Sequence, residues 1–198
     1  MKYIYVLLVV FFSIFIWSII EPKDSFTCFL EIVPALIGLV VLALTFNKFR
    51  FTNFTYTMIL LHCIVLFVGG HYTYAEVPLF DYIKDAFHQT RNNYDKVGHF
   101  MQGFVPALII REVFIRKIVV NNRRFFNFII VSICLAISAA YEWIEWGVSI
   151  STGDKGDSFL GTQGDIWDTQ SDMLFATIGA VLALVLFSKI QDKQIFVT

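Results

Sequence analysis

Charge is the scarcest commodity in this sequence. Asp, Glu, Lys and Arg make up 16% of its 198 residues, against roughly 25% in a soluble domain. With 57% of residues hydrophobic and a mean hydropathy of +0.68, an ordinary soluble core is excluded and the chain falls in the membrane class. A formal net charge of −1 leaves no basic surplus to draw a polyanion, so no nucleic-acid partner is expected. Cysteine is equally sparse. Cys28, Cys63 and Cys134 lie in or beside apolar runs with no CxxC spacing, which excludes a disulfide framework and reads as buried, reduced thiols. GxSxG, HExxH, a phosphate loop and a Cys–His pair are all missing, so a nucleophilic serine or cysteine mechanism has nothing to stand on. No internal repeat and no linker divides the chain.

What the sequence has instead is long apolar runs. Six segments, about 3–20, 29–46, 54–72, 97–115, 125–147 and 171–190, reach the roughly 17–25 residues that span a bilayer. The first follows Lys2 but is too long for a signal-peptide core, and Glu21-Pro22-Lys23-Asp24 offers no small-x-small cleavage site, so a retained helix is expected. The fold class is all-α: a polytopic membrane protein, a six-helix transmembrane bundle with structured outer loops, forming one domain over residues 1–198. Loop 73–96 is rich in aromatics, and a short amphipathic helix is expected around Phe80–Thr90 in the headgroup layer. Ala176, Gly179 and Ala180 give the last span a small-residue face for close packing against the fourth or fifth.

Six spans put Lys2, Lys48, Arg50, Arg111, Arg116, Lys117, Arg123, Arg124, Lys189 and Lys193 on one side, ten of the fifteen Lys and Arg. The positive-inside rule makes that side cytoplasmic, with both termini there. The acids show the opposite bias, which that rule does not explain.

Candidate chemistry gathers at the outer ends. In NYDKVGHFMQG, Asp95 and His99 stand four apart, on one helix face, as two metal ligands or an acid–imidazole pair; capping for Asp95 and core packing for His99 are the plain alternatives. In YEWIEWG, Glu142 and Glu145 stand one turn apart near a helix C-terminus. There the dipole disfavours both, so they call for a cation, a basic partner or a water-filled mouth. In GTQGDIWDTQSD (Gly161–Asp172), Asp168 reads as a helix cap and Asp165 as an Asx-turn, which leaves Asp172 needing a partner; Gly161 and Gly164 would allow close approach. His71 ends the third span and suits a helix C-terminus when protonated, or joins the metal ligands. His62 in mid-span reads as packing.

Asp95, His99, Asp172 and His71 are thus the candidate metal ligands, and Glu142, Glu145 and Asp168 the candidate catalytic groups. Mixed carboxylate and imidazole sets suit a divalent metal ion without choosing which. Two functions stay open. The favoured one, slightly, is a non-catalytic binding or structural role for the polar site. The alternative is a metal-dependent hydrolase or transferase acting on a lipid or envelope-linked substrate at the outer face. A six-span chain without paired interrupted helices lacks the inverted-repeat transporter pattern. Membrane lipid is the expected partner.

The blocks GGHYTYAEVPL, NNYDKVGHFMQGFVPA, YEWIEW and FLGTQGDIWDTQSDM resemble the YjdF-type inner-membrane proteins of bacteria, over most of residues 69–180. The resemblance implies a bacterial inner membrane and no defined activity. Asp95, Lys96 and His99, then Glu142 or Glu145, then Asp168 or Asp172 ahead of ATIGAVLAL, are more loosely similar to VanZ-like membrane proteins, which are associated with glycopeptide resistance. YEWIEW and the long outer loops depart from that pattern.

Overall fold

Apolar runs this long have one way to satisfy their backbone, and the computed structural model, which describes residues 2–153, 159 and 162–196, takes it. Seven helices and no strand occur among the described residues: α1 Lys2–Ile19, α2 Ser25–Thr45, α3 Asn53–Tyr72, α4 Pro78–Ala86, α5 Tyr94–Lys117, α6 Arg123–Thr152 and α7 Asp168–Ile195. Asp154, Lys155, Asp157 and Gly161 of the stretch before α7 lie outside the described residues.

Local signals set the helix starts. Asp24 accepts the Thr27 amide at 2.6 Å to open α2, Thr52 accepts that of Thr55 at 3.3 Å to open α3, and Asn122 accepts that of Arg124 at 2.9 Å to open α6. Pro78 stands at the first position of α4, where its missing amide costs nothing. This is the amphipathic loop helix, ending earlier than Thr90 and exposing Leu79 and Tyr82. α3 stops where Thr73 and Tyr74 both turn left-handed, at φ 63° and 55°.

Contacts between helix ends fix their directions. Tyr3 bonds Thr57, and Ser18 meets His71, so α1 runs alongside α3. Glu112 of α5 meets Thr52 at the start of α3, and Tyr94 reaches Val65 near its end, so these two are antiparallel. Lys96 bonds Asp172, and Arg111 bonds Gln191, so α5 and α7 run parallel and in step. One end of the bundle thus gathers Lys2, Lys48, Arg116 and Lys193, the basic end. The other gathers α4, Asp95, Glu145 and Asp168, the acidic end.

Five helices (α1, α2, α3, α6 and α7) are long and apolar enough to cross a membrane. At 24 residues, α5 has the length but carries Asp95, Lys96, His99, Arg111, Glu112, Arg116 and Lys117, and it is not among them. The reason is its place. It lies at the centre, packed on α3, α6 and α7, and buries Lys96, His99, Arg111 and Glu112 against neighbours rather than facing lipid. The surrounding helices turn Val9, Leu44, Phe128 and Val185 outward, each at least 65% exposed. Such a surface belongs in hydrocarbon rather than water.

The two larger apolar clusters lie between the long helices. Phe104, Val105, Leu108, Ile130, Cys134, Ala180 and Leu184 pack where α5, α6 and α7 meet; Phe11, Cys28, Ile32, Leu60, Cys63 and Phe67 pack where α1, α2 and α3 meet. The small-residue face on α7 meets α5, as its sequence suggested. A Cβ on Gly103 would overlap the Ala176 carbonyl oxygen, and one on Gly179 would overlap that of Phe100.

The basic end is tied by a polar knot with no forerunner in the sequence reading. Glu112, with no exposed surface, accepts from the Thr52 amide at 2.8 Å, the Thr52 hydroxyl at 2.9 Å, the Thr55 hydroxyl at 2.6 Å and Arg116 at 2.9 Å. Gln191 donates to Thr55 and to the Leu108 carbonyl and accepts from Arg111. Three helices meet on these groups. Replacing Glu112 with alanine strands several buried donors, at about 1–3 kcal/mol for a donor left unpaired, and is expected to lower thermal stability in detergent clearly. Unchanged melting of Glu112→Ala would show the knot to be dispensable.

Candidate functional site

At the acidic end, α5, α6 and α7 bring their polar residues to one place. Asp95 and His99, one turn apart on α5, form the hinge of the cluster. His99 Nε2 lies 3.3 Å from Asp95 Oδ1 and 3.9 Å from Asp172 Oδ2. His99 Nδ1 lies 3.2 Å from Gln102 Oε1 and 3.7 Å from Glu142 Oε1. Both ring nitrogens therefore face oxygen acceptors, a setting met by a proton on each nitrogen or by a cation. Glu145 completes the set: His99, Glu142 and Glu145 are all buried and offer ligand atoms within 4.8 Å of one another, as do Asp95, His99 and Asp172.

A second layer is ionic. Lys96 Nζ bridges Asp168 and Asp172 at 2.7 Å each. Arg91 pairs with Asp168, and reaches Asp165 at 3.4 Å and Asp95 at 3.5 Å. Burial works against charge on Arg91, but the Asp168 hydrogen bond and the charges of Asp168, Asp95 and Asp172 more than offset it, holding the guanidinium above its ordinary value. Arg91 is thus a fixed cation tying the loop before α5 to the start of α7. The Gln163 side chain reinforces that tie, accepting from the Asn92 amide at 3.0 Å and donating to the Asn92 carbonyl at 2.9 Å.

The expected caps are corrected in one respect. Trp167, not Asp168, is the N-cap of α7, and Asn93 precedes α5. Asp168 is freed to meet Arg91 and Lys96. Asp165 does make its Asx-turn, accepting the Trp167 amide at 2.9 Å. Asp172, which lacked a partner in sequence, has Lys96 and His99. Of the candidate residues, Asp95, His99, Glu142, Glu145, Asp168 and Asp172 converge. His71 is placed elsewhere: its Nδ1 lies 3.2 Å from the Ser18 carbonyl and its ring 4.4 Å from that of Trp17, at the outer edge of α1 and α3.

A cavity of about 210 Å³ opens beside the cluster, lined by Asp95, His99, Gln102 and Glu145 together with Glu31, Tyr74 and Tyr141. Tyr74 enters because the left-handed φ values of Thr73 and of Tyr74 itself fold the chain back, setting its ring against Gly69 and Gly98; a Cβ on Gly98 would lie 2.7 Å from the ring. Burial keeps the Tyr74 phenol neutral, well above its ordinary value. Two polar atoms of the site are out of solvent with no hydrogen-bond partner among the described residues: Glu142 Oε1 and Tyr141 Oη.

Sequence reasoning missed Glu31, Gln102, Arg91 and Tyr74 as members of the site. Glu31 had a signal, a lone acid in the first turns of an apolar helix. Arg91 stands four residues before Asp95, a spacing that pairs opposite charges. Gln102 and Tyr74 had none.

Residues 3–193 match the family model described as "Predicted membrane protein (DUF2238)". The chain is 42% identical over 182 residues to "Inner membrane protein YjdF" of Escherichia coli (strain K12), covering 92% of this chain and 87% of that protein. No solved structure matches. Neither match is to a VanZ-like protein, and no role in antibiotic resistance is read from that looser similarity. The chain belongs to the DUF2238 family of predicted membrane proteins.

Proposed function

We propose that the chain crosses the inner membrane six times with both termini in the cytoplasm, and that it holds a divalent cation between His99, Glu142 and Glu145 in an outward-facing site whose role is binding rather than catalysis. The central position of α5 and the alternating helix directions support the sixth crossing. The basic bias of one end supports the orientation.

One observation carries the cation. Glu142 Oε1 is buried without a hydrogen-bond partner among the described residues, 3.7 Å from the His99 ring. A carboxylate oxygen left so in a membrane protein calls for a positive group. Local charge agrees: Glu31, Asp95 and Glu145 line one cavity, Glu142 and Asp172 adjoin them around His99, and Arg91 and Lys96 pair with Asp95, Asp168 and Asp172 rather than with the glutamates. Ligand bonds of about 2.0–2.2 Å require the three donor atoms to close by an ångström or so, a rotamer adjustment of two glutamates.

Metal analysis of detergent-purified protein tests this. Close to one ion per chain is expected, with most of it lost from His99→Ala and Glu142→Gln. Trace metal that the variants leave unchanged would sink the reading. For the orientation, a reporter fused after the last residue is expected to read cytoplasmic; periplasmic activity would reverse it.

The second reading, a metal-dependent hydrolase or transferase, draws on the cavity. Space beside His99 and Glu145 leaves room at the ion for water and a substrate, as catalytic metal sites require. In that reading Asp95, His99 and Asp172 would hold the ion, leaving Glu145 unligated to serve as general base towards its water.

A further inference from the structure

The polar cavity has an apolar neighbour. A cleft of about 480 Å³ runs along α1, α2, α3 and α5, within the size range of ligand pockets, roughly 300–1,000 Å³. It exists because α1 and α2 both pack on α3 and scarcely on each other. Leu8, Phe11, Leu39, Leu42, Leu60 and Ile109 give it hydrocarbon walls. Pro34, His62, Leu66 and Pro106 line both the cleft and the polar cavity, so the two volumes share a wall near the middle of the bundle. The cleft fills the half toward the basic end; the cavity fills the half toward the acidic end. Gly38 sits in the cleft wall, and a Cβ built on it meets nothing within 4 Å.

Hydrocarbon on one side of a shared wall and carboxylates, imidazole and phenols on the other is the complement of an amphiphile. The cavity also presents Tyr141 Oη, a buried hydroxyl without a hydrogen-bond partner among the described residues. We infer that cleft and cavity together take one lipid, its chain in the cleft and its phosphate-bearing head in the cavity. This rests on the cation reading. Glu31, Asp95 and Glu145 line the cavity and repel a phosphate until a divalent ion stands beside them, after which the ion bridges phosphate and carboxylates. Tyr141 donates to a phosphate oxygen. Lipid and cation therefore bind together, while the chain adds an affinity that free phosphate lacks.

Gly38→Trp fills the cleft from a wall position with open space around it and leaves the acidic end alone. The test is native mass spectrometry of the full-length protein in detergent with Mn²⁺ and phosphatidylglycerol, set beside inorganic phosphate. Wild type is expected to carry one Mn²⁺ and one lipid. Chelation of the metal should lower lipid occupancy about tenfold, and so should Gly38→Trp, a factor worth about 1.4 kcal/mol, with Mn²⁺ still bound to that variant as proof that it is folded. Gly38→Leu should give an intermediate loss. Lipid retained by Gly38→Trp at the wild-type level, or lipid indifferent to chelation while Mn²⁺ binds, overturns the lipid inference and leaves the cation reading standing. Inorganic phosphate displacing the lipid equally well from wild type and Gly38→Trp also overturns it, because the chain would then contribute nothing. Wild type that takes up no Mn²⁺ overturns the cation reading itself.

Discussion

Lys96→Met is expected to destabilise the protein more than any other single change at the acidic end. Lys96 Nζ lies 2.7 Å from Asp168 and from Asp172, and Asp172 is 1% exposed. Methionine keeps the length of the side chain and removes its charge, so packing changes little. Asp168 still has Arg91; Asp172 is left with His99 at 3.9 Å. Breaking a buried pair by removing one partner costs about 3–5 kcal/mol, and denaturation in mixed micelles should show a loss of that size. The double variant Lys96→Met/Asp172→Asn should recover a good part of it, because the stranded charge is gone. A loss below about 1 kcal/mol, within the range of exposed ion pairs, would mean that water reaches this pair freely.

The second large effect is steric. α5 and α7 approach so closely that a Cβ on Gly103 would overlap the Ala176 carbonyl oxygen and one on Gly179 that of Phe100. Neither obstacle is a flexible side chain, so relief requires the helices to part, which also loosens Lys96 from Asp168 and Asp172. Overpacking costs about 1–3 kcal/mol and sometimes more; Gly103→Ala and Gly179→Ala should lie at or above the top of that range and also weaken the site. Gly147→Ala on α6 is the control. A Cβ there meets nothing within 4 Å, so the change should be neutral or stabilising by up to about 1 kcal/mol through helix propensity. Equal behaviour of the three variants would contradict the close α5–α7 packing.

The parts of this protein that the sequence reveals are those written in local patterns. Apolar run lengths locate the helices to within a few residues, the alanines and glycine of α7 announce a close neighbour, and Asp95/His99 and Glu142/Glu145 mark the site by helical spacing alone. The parts it conceals depend on which helix lies inside. Residues 97–115 read as one more membrane span, and nothing in the run shows that this helix lies at the centre with α3, α6 and α7 packed on it. Glu112 belongs to no pattern that the sequence displays, yet it accepts four bonds at the meeting of α3 and α5. Asp168 looks like a helix cap because cap chemistry is local, whereas its partners Arg91 and Lys96 come from the segment around the start of α5. His71 shares a residue type and a helix end with the site, but α3 carries it to Trp17 and Ser18 on the outer side. Glu31 shows the converse, a residue from α2 reaching the cavity through tertiary packing alone.

The central claim is that His99 holds a divalent cation together with the two glutamates of α6. Pulsed electron paramagnetic resonance of the Mn²⁺-loaded protein reads the ligand directly, since an imidazole nitrogen bound to the ion modulates the electron spin echo. The account predicts that modulation in wild type and its disappearance in His99→Gln. Bound Mn²⁺ with no nitrogen coupling, or coupling that survives His99→Gln, would contradict it.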